Sequence, residues 1–129
     1  MAGKSSRKHE FGDFQTPPEV SDAALRVLAR MKLEPAIVLE PTCGEGSFLL
    51  AAIRWFPDAR KYIGVDIDSG HLAALKAACA GSTRSEAVEL IHADFFEFDW
   101  AALLQSASAR GQWCWACRYL LVCSHKKYL

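Results

Sequence analysis

No run of this 129-residue chain is apolar for long enough to cross a bilayer, so no helical membrane span is expected. Charge of one sign is lacking too. Fifteen basic and fifteen acidic residues cancel, which removes the global basic field that draws a protein to nucleic acid and leaves only local surfaces for such contacts. The polar start, Met1 to Glu10, has no apolar signal-peptide core, and an intracellular protein is expected. An even cysteine count is also absent. Five cysteines in a reducing compartment read as free thiols rather than a disulfide framework. With 51% hydrophobic and 23% charged residues, the length admits one soluble globular domain.

What is present is organised around residues 36–48. Ala36-Ile-Val-Leu39 is a short β-branched apolar run that suits a buried parallel strand. It breaks into a turn with Gly44 and Gly46, then resumes as a helical pattern from Ser47 through Phe48, Leu49, Ala52, Ile53 and Phe56. Glycines let backbone approach a ligand, and a helix N-terminus offers N–H groups. Upstream, residues 1–10 read as a disordered tail. Thr16-Pro17-Pro18-Glu19 reads as a capping box, with Thr16 as N-cap and Pro17 in the first helical position. The helix it opens is predicted to run to about Met31 with Val20, Ala24, Val27, Leu28 and Met31 on its buried face.

Downstream, Tyr62-Ile-Gly-Val65 is predicted as a second buried strand. Asp68 caps a helix with Leu72, Leu75, Ala78 and Cys79 inward. A loop over 81–85 leads to a third strand, Val88 to His92, and a short helix follows from Asp99 to about Ser106. Strand and helix alternate tightly, which predicts an α/β fold with a partial parallel sheet and flanking helices.

Ligands bind such sheets at the carboxyl ends of the strands, and here each strand delivers an acid there: Glu40, Asp66 and Asp94. The structural alternative is that all three are helix caps. Asp66 lies about twenty residues beyond the Gly turn, where a carboxylate accepts from ribose hydroxyls. Asp94 suits an exocyclic amino group such as that of adenine, with Phe95 packing on the ring. The third glycine of the dinucleotide fingerprint is missing, and Glu40 opposes a pyrophosphate while suiting an ammonium or sulfonium. An NAD-dependent dehydrogenase therefore ranks last.

Four segments, in this order and spacing, resemble the motifs of class I S-adenosylmethionine-dependent methyltransferases, and more closely the adenine-specific (N6) DNA methyltransferases of restriction–modification type. They are Phe14-Gln-Thr-Pro-Pro-Glu-Val20, Val38-Leu-Glu-Pro-Thr-Cys-Gly-Glu-Gly-Ser-Phe48, Gly64-Val-Asp-Ile-Asp68 and Ala93-Asp-Phe95. The resemblance implies a Rossmann-like class I methyltransferase fold over residues 11–108, S-adenosylmethionine as cofactor, and DNA as partner through contacts mostly outside this chain. It implies that Thr16 contacts the methionine carboxylate and that Glu40 lies near the ammonium. The backbone from Pro41 through Cys43 and Gly44 to Gly46 would surround the methionine part. Asp66 would hold the ribose, Ile67 lie against the adenine face, Asp94 bind the adenine amino group and Phe95 pack nearby. A methyltransferase acting on RNA adenine or protein glutamine is the second enzyme expectation, and a non-catalytic fragment that binds cofactor or a partner chain is the third.

One motif is absent. The family's Asn-or-Asp-Pro-Pro-aromatic tetrapeptide, which polarises the amino group of a flipped adenine, occurs nowhere in the sequence, and Pro17-Pro18 stands in the wrong place for it. No catalytic residue is assigned. The stretch from 109 to 129 crowds three of the five cysteines and two of the four tryptophans where that motif belongs. Tyr119-Leu-Leu-Val122 suits a fourth strand beside the first. Cys114, Cys117, Cys123 and His125 only loosely match a zinc site, since Cys-x-His is not the usual second half, and no metal is assigned. A changed reading frame, alternative splicing or truncation is the other account of this tail. A half sheet with an open fourth strand is expected to pair with a partner chain or aggregate.

Overall fold

The computed structural model describes residues 15–108 and 119–121. Four parallel strands form one sheet in the order β3-β2-β1-β4, with β1 at Ile37–Glu40, β2 at Lys61–Asp66, β3 at Val88–His92 and β4 at Tyr119–Leu121. The helices are α1 (Pro18–Arg30), α2 (Ser47–Trp55), α3 (Ser69–Cys79) and α4 (Trp100–Ser108), with a 3₁₀ turn at Ser85–Ala87. The expected β1, β2 and β3 are in place, and β4 pairs with β1 through Ile37–Tyr119 to Leu39–Leu121. The order reverses between β1 and β4. That reversal places the Gly turn, which follows β1, at the point where open parallel sheets receive ligands.

Alternation along the strands divides the core into two layers. Val38 and Tyr62 face a cluster with Leu25 of α1, Leu49, Ala51 and Ala52 of α2, and Leu72, Leu75 and Cys79 of α3. Ile37, Leu39, Ile63 and Val65 face the other side, where Trp100 and Leu103 of α4 pack on them. Inside the first layer the Tyr62 hydroxyl donates to the Phe56 carbonyl, and burial pushes its pKa up.

Four expectations are corrected. Thr16 does not cap α1. Pro17 holds the N-cap position without a side-chain bond, Pro18 is the first helical residue, and no capping box forms. The loss is small, because two prolines already remove N–H groups that a cap would otherwise satisfy.

The buried face of α1 is the second correction. Ser21 and Leu25 are buried and Leu28 half-buried, whereas Val20, Ala24, Val27 and Met31 are exposed. Asp22 decides the rotation. Its carboxylate accepts from Trp55 Nε1 at 2.8 Å and Arg54 Nη2 at 3.1 Å, turning that side of α1 onto α2. In α3, Ala78 is exposed while Leu72, Leu75 and Cys79 are buried as expected. The last helix begins at Trp100, one residue later than expected, because Asp99 caps it by accepting from Ala102 N–H. The 1–10 tail, the cysteine-rich residues 109–118 and the Cys123/His125 pair lie outside the described residues.

Candidate functional site

The end of β1 is unusually polar for a buried place. Glu40 is 1% exposed and Thr42 6%, and Pro41 is buried between them. Register explains how they meet β2. Glu40 stands beside Gly64, so Val65 and Asp66 reach past the end of β1 and lie alongside the turn. Cys43 sits over Gly64, and its N–H donates to the Val65 carbonyl at 2.9 Å.

Asp66 organises this turn. One carboxylate oxygen accepts the Gly44 N–H at 2.7 Å and the other accepts the Asp68 N–H at 2.8 Å, with the residue 2% exposed. One side chain thereby fixes both the turn after β1 and the turn after β2. His71, in the first turn of α3, brings Nδ1 to 3.8 Å from the same carboxylate. Asp68 caps α3 as expected, accepting from Gly70 and His71 N–H.

Both turn glycines have positive φ, 55° at Gly44 and 84° at Gly46, a region costly for other residues. Their missing side chains are also space already used. A Cβ at Gly44 would strike the Gln15 amide, and one at Gly46 would strike the Leu75 side chain. Gln15 reaches in from the segment before α1, and its Oε1 accepts the Glu45 N–H at 2.9 Å. The Gly46 N–H donates to the Cys43 carbonyl at 2.8 Å. Four successive N–H groups, from Cys43 to Gly46, are thus satisfied within the protein. A phosphate-binding loop works by presenting such groups to the ligand. This turn presents carboxylates instead.

The end of β3 forms the adjoining wall. Asp94 Oδ1 accepts the Phe96 N–H at 2.8 Å, and its carbonyl accepts from Glu97 and Phe98, so the carboxylate anchors a tight turn. Phe95 lies in an aromatic group, its ring 5.3 Å from those of Phe96 and Trp100, and its carbonyl accepts from Trp100 Nε1. Phe96 is 70% exposed at the rim. Between the two walls Ile67 is exposed, its backbone held by a 2.8 Å bond between its carbonyl and His92 Nε2.

Glu40, Pro41, Cys43, Gly44, Gly46, Asp66, Ile67, Asp94 and Phe95 therefore all lie on the carboxyl-end side of β1, β2 and β3. Thr16, half-buried, is brought toward the turn by its neighbour Gln15. Sequence reasoning missed Gln15, His71 and His92. Gln15 lies inside the motif at residues 14–20, yet nothing in its residue type marks a bond thirty positions away. By sequence His92 is only the last residue of a strand.

Among the described residues no cluster of metal-ligating side chains occurs, and no helix is long and apolar enough to cross a membrane. No family model matches the chain. Over 97 residues, 75% of the chain, it is 36% identical to the type II methyltransferase M.NspV of Nostoc sp.; that stretch is 20% of the relative, so the chain spans about a fifth of its length. Two solved structures share the fold. An RNA methyltransferase from Salinibacter ruber, in complex with S-adenosyl-L-homocysteine, matches with a TM-score of 0.54 at 23% identity over 67% of this chain and 54% of that one. The Trypanosoma brucei PRMT1 enzyme–prozyme complex with AdoHcy matches with a TM-score of 0.53 at 18% identity over 77% and 29%.

Proposed function

Because this chain belongs to the class I S-adenosylmethionine-dependent methyltransferases, we propose that residues 11–108 are the cofactor-binding part of a DNA methyltransferase that modifies adenine at N6. One observation carries the cofactor assignment. The turn after β1 spends its N–H groups internally, with Glu40 and Asp66 buried beside it and Asp94 at the corresponding end of β3. A pyrophosphate would meet negative charge without donors, whereas a ligand with an ammonium, a sulfonium, a ribose and an amino group meets acceptors.

When bound, S-adenosylmethionine supplies an electrophilic methyl group on sulfur. This chain's residues bind and orient it. Glu40, buried below the turn, sets a negative potential for the ammonium, and Thr16 takes the methionine carboxylate from the other side. Asp66, whose two oxygens accept the Gly44 and Asp68 N–H groups at the end of β2, is the carboxylate to which the ribose hydroxyls donate. Ile67 covers one face of the adenine. The Asp94 carboxylate accepts from its amino group, and Phe95 packs beside the ring.

Adenine in DNA is favoured as acceptor by the Thr16-Pro17-Pro18-Glu19 segment ahead of the Gly turn and by likeness to a type II methyltransferase. RNA adenine and protein glutamine are the competing acceptors. The sequence holds no Asn-or-Asp-Pro-Pro-aromatic motif, so groups beyond this chain must orient the acceptor. Little or no methyl transfer to duplex DNA is expected from the chain alone.

Calorimetric titration tests the cofactor reading. S-adenosylhomocysteine should bind with a dissociation constant on the order of 10 μM, and NAD should give no heat of binding. Binding of NAD without the homocysteine compound would overturn the assignment.

A further inference from the structure

Helix α1 carries apolar residues on two faces. Leu25, Leu28 and Ala29 pack on the core. Val20, Ala24, Val27 and Met31, spaced four, three and four residues apart, form a second stripe. Val20, Val27 and Met31 are 54%, 55% and 65% exposed. Layer order explains why. Across one face of the sheet α3 lies on β2 and β3, α2 on β1 and β2, and α1 follows α2 as the end helix of the row. The Asp22–Arg54 pair marks where α1 meets α2, and the stripe lies on the side turned away from it.

We propose that this stripe is the seam of an antiparallel helix pair between two copies of the chain. The four-three-four spacing reads the same in both directions, so an α1 running the opposite way meets it layer by layer. Val20 faces Met31 of the second copy, and Ala24 faces Val27. These are the alternating layers of an antiparallel coiled-coil seam, each pairing a smaller side chain with a larger one. Charge agrees with the same alignment. Glu19 and Arg30 stand at opposite ends of α1 on one flank of the stripe, and the two-fold axis brings Glu19 of each copy beside Arg30 of the other. A partner of unrelated sequence would not require a stripe that is its own complement. One helix pair buries less than a standard interface, so the dimer is weak, with a dissociation constant on the order of 100 μM.

Sedimentation velocity on the 129-residue chain, from about 5 to 500 μM to bracket that constant, tests this. A monomer–dimer equilibrium is expected. Val27→Asp should leave a monomer at every concentration with an unchanged melting temperature in dilute solution, since Val27 lies outside the core. Glu19→Arg and Arg30→Glu should each weaken the dimer at least about fivefold, and the double variant should recover to within about twofold of the parent. A monomer throughout overturns the proposal. So does association that survives Val27→Asp, which would point to the open β4 edge, or a charge swap that fails to recover.

Discussion

A single carboxylate and a single missing methyl group carry much of the candidate site. Asp66 accepts two backbone N–H bonds in a place 2% exposed. Asp66→Asn replaces one acceptor oxygen by a donor, so one buried N–H must face an NH₂ group. A loss of about 2–3 kcal/mol is expected in urea denaturation, and a loss below about 0.5 kcal/mol would show that the two bonds do not hold the turns. Gly46→Ala should cost about 2–4 kcal/mol, adding a positive φ to a clash with Leu75. Gly81→Ala is the matched control, because its added Cβ meets nothing.

At the level of elements, α1 shows where reading a sequence stops. Its apolar periodicity was real, but the helix has two apolar faces and the stronger pattern is the exposed one. Ser21 lies at the centre of the buried face, and its hydroxyl donates to the Pro18 carbonyl at 3.0 Å, so a polar residue enters the core with its bond already made. No periodicity rule anticipates that. The strands and the helix starts at Ser47 and Ser69 were legible because Gly turns and an Asp cap punctuate them sharply.

The α1–α2 contact also carries a pH signature. Asp22 titrates below the ordinary carboxylate range, first through its bond from the Trp55 indole and then through that from Arg54. A lowered folded pKa gives stability that is complete above about pH 3.9, the unfolded value, and is lost as pH falls through the lower folded one. The melting temperatures of the parent and Asp22→Asn should therefore differ at neutral pH and draw together as the pH falls from about 3.9 through the lower folded value. A difference that stays constant down to pH 2 would remove Asp22 as the source.

Across the whole molecule the sheet is unevenly covered. Three helices lie on one face and, among the described residues, α4 alone on the other. Leu49, fully buried in the three-helix layer, should cost about 3–4 kcal/mol on replacement by alanine; half-buried Leu103 of α4 should cost about 1–2 kcal/mol. Equal costs in paired urea titrations would show the second face to be as firmly packed as the first. The same scale limits what the sequence discloses about function. The strand positions and the acids at the strand ends could be read from local patterns, because each strand announces its own end. The bonds Gln15–Glu45 and Gly44–Asp66 join positions 30 and 22 residues apart, and only tertiary structure supplies them.

Those long reaches impose an order of events on the folding chain. A nascent polypeptide stopped at residue 60 contains every residue from Glu40 to Gly46, but neither the Asp66 carboxylate nor the Val65 carbonyl that fixes the turn's N–H groups. The helix after the turn can nucleate early from local contacts. The turn itself takes shape only once β2 has closed a loop of some twenty residues and docked beside β1. The Gly motif is thus written early in the chain and becomes a ligand cradle late.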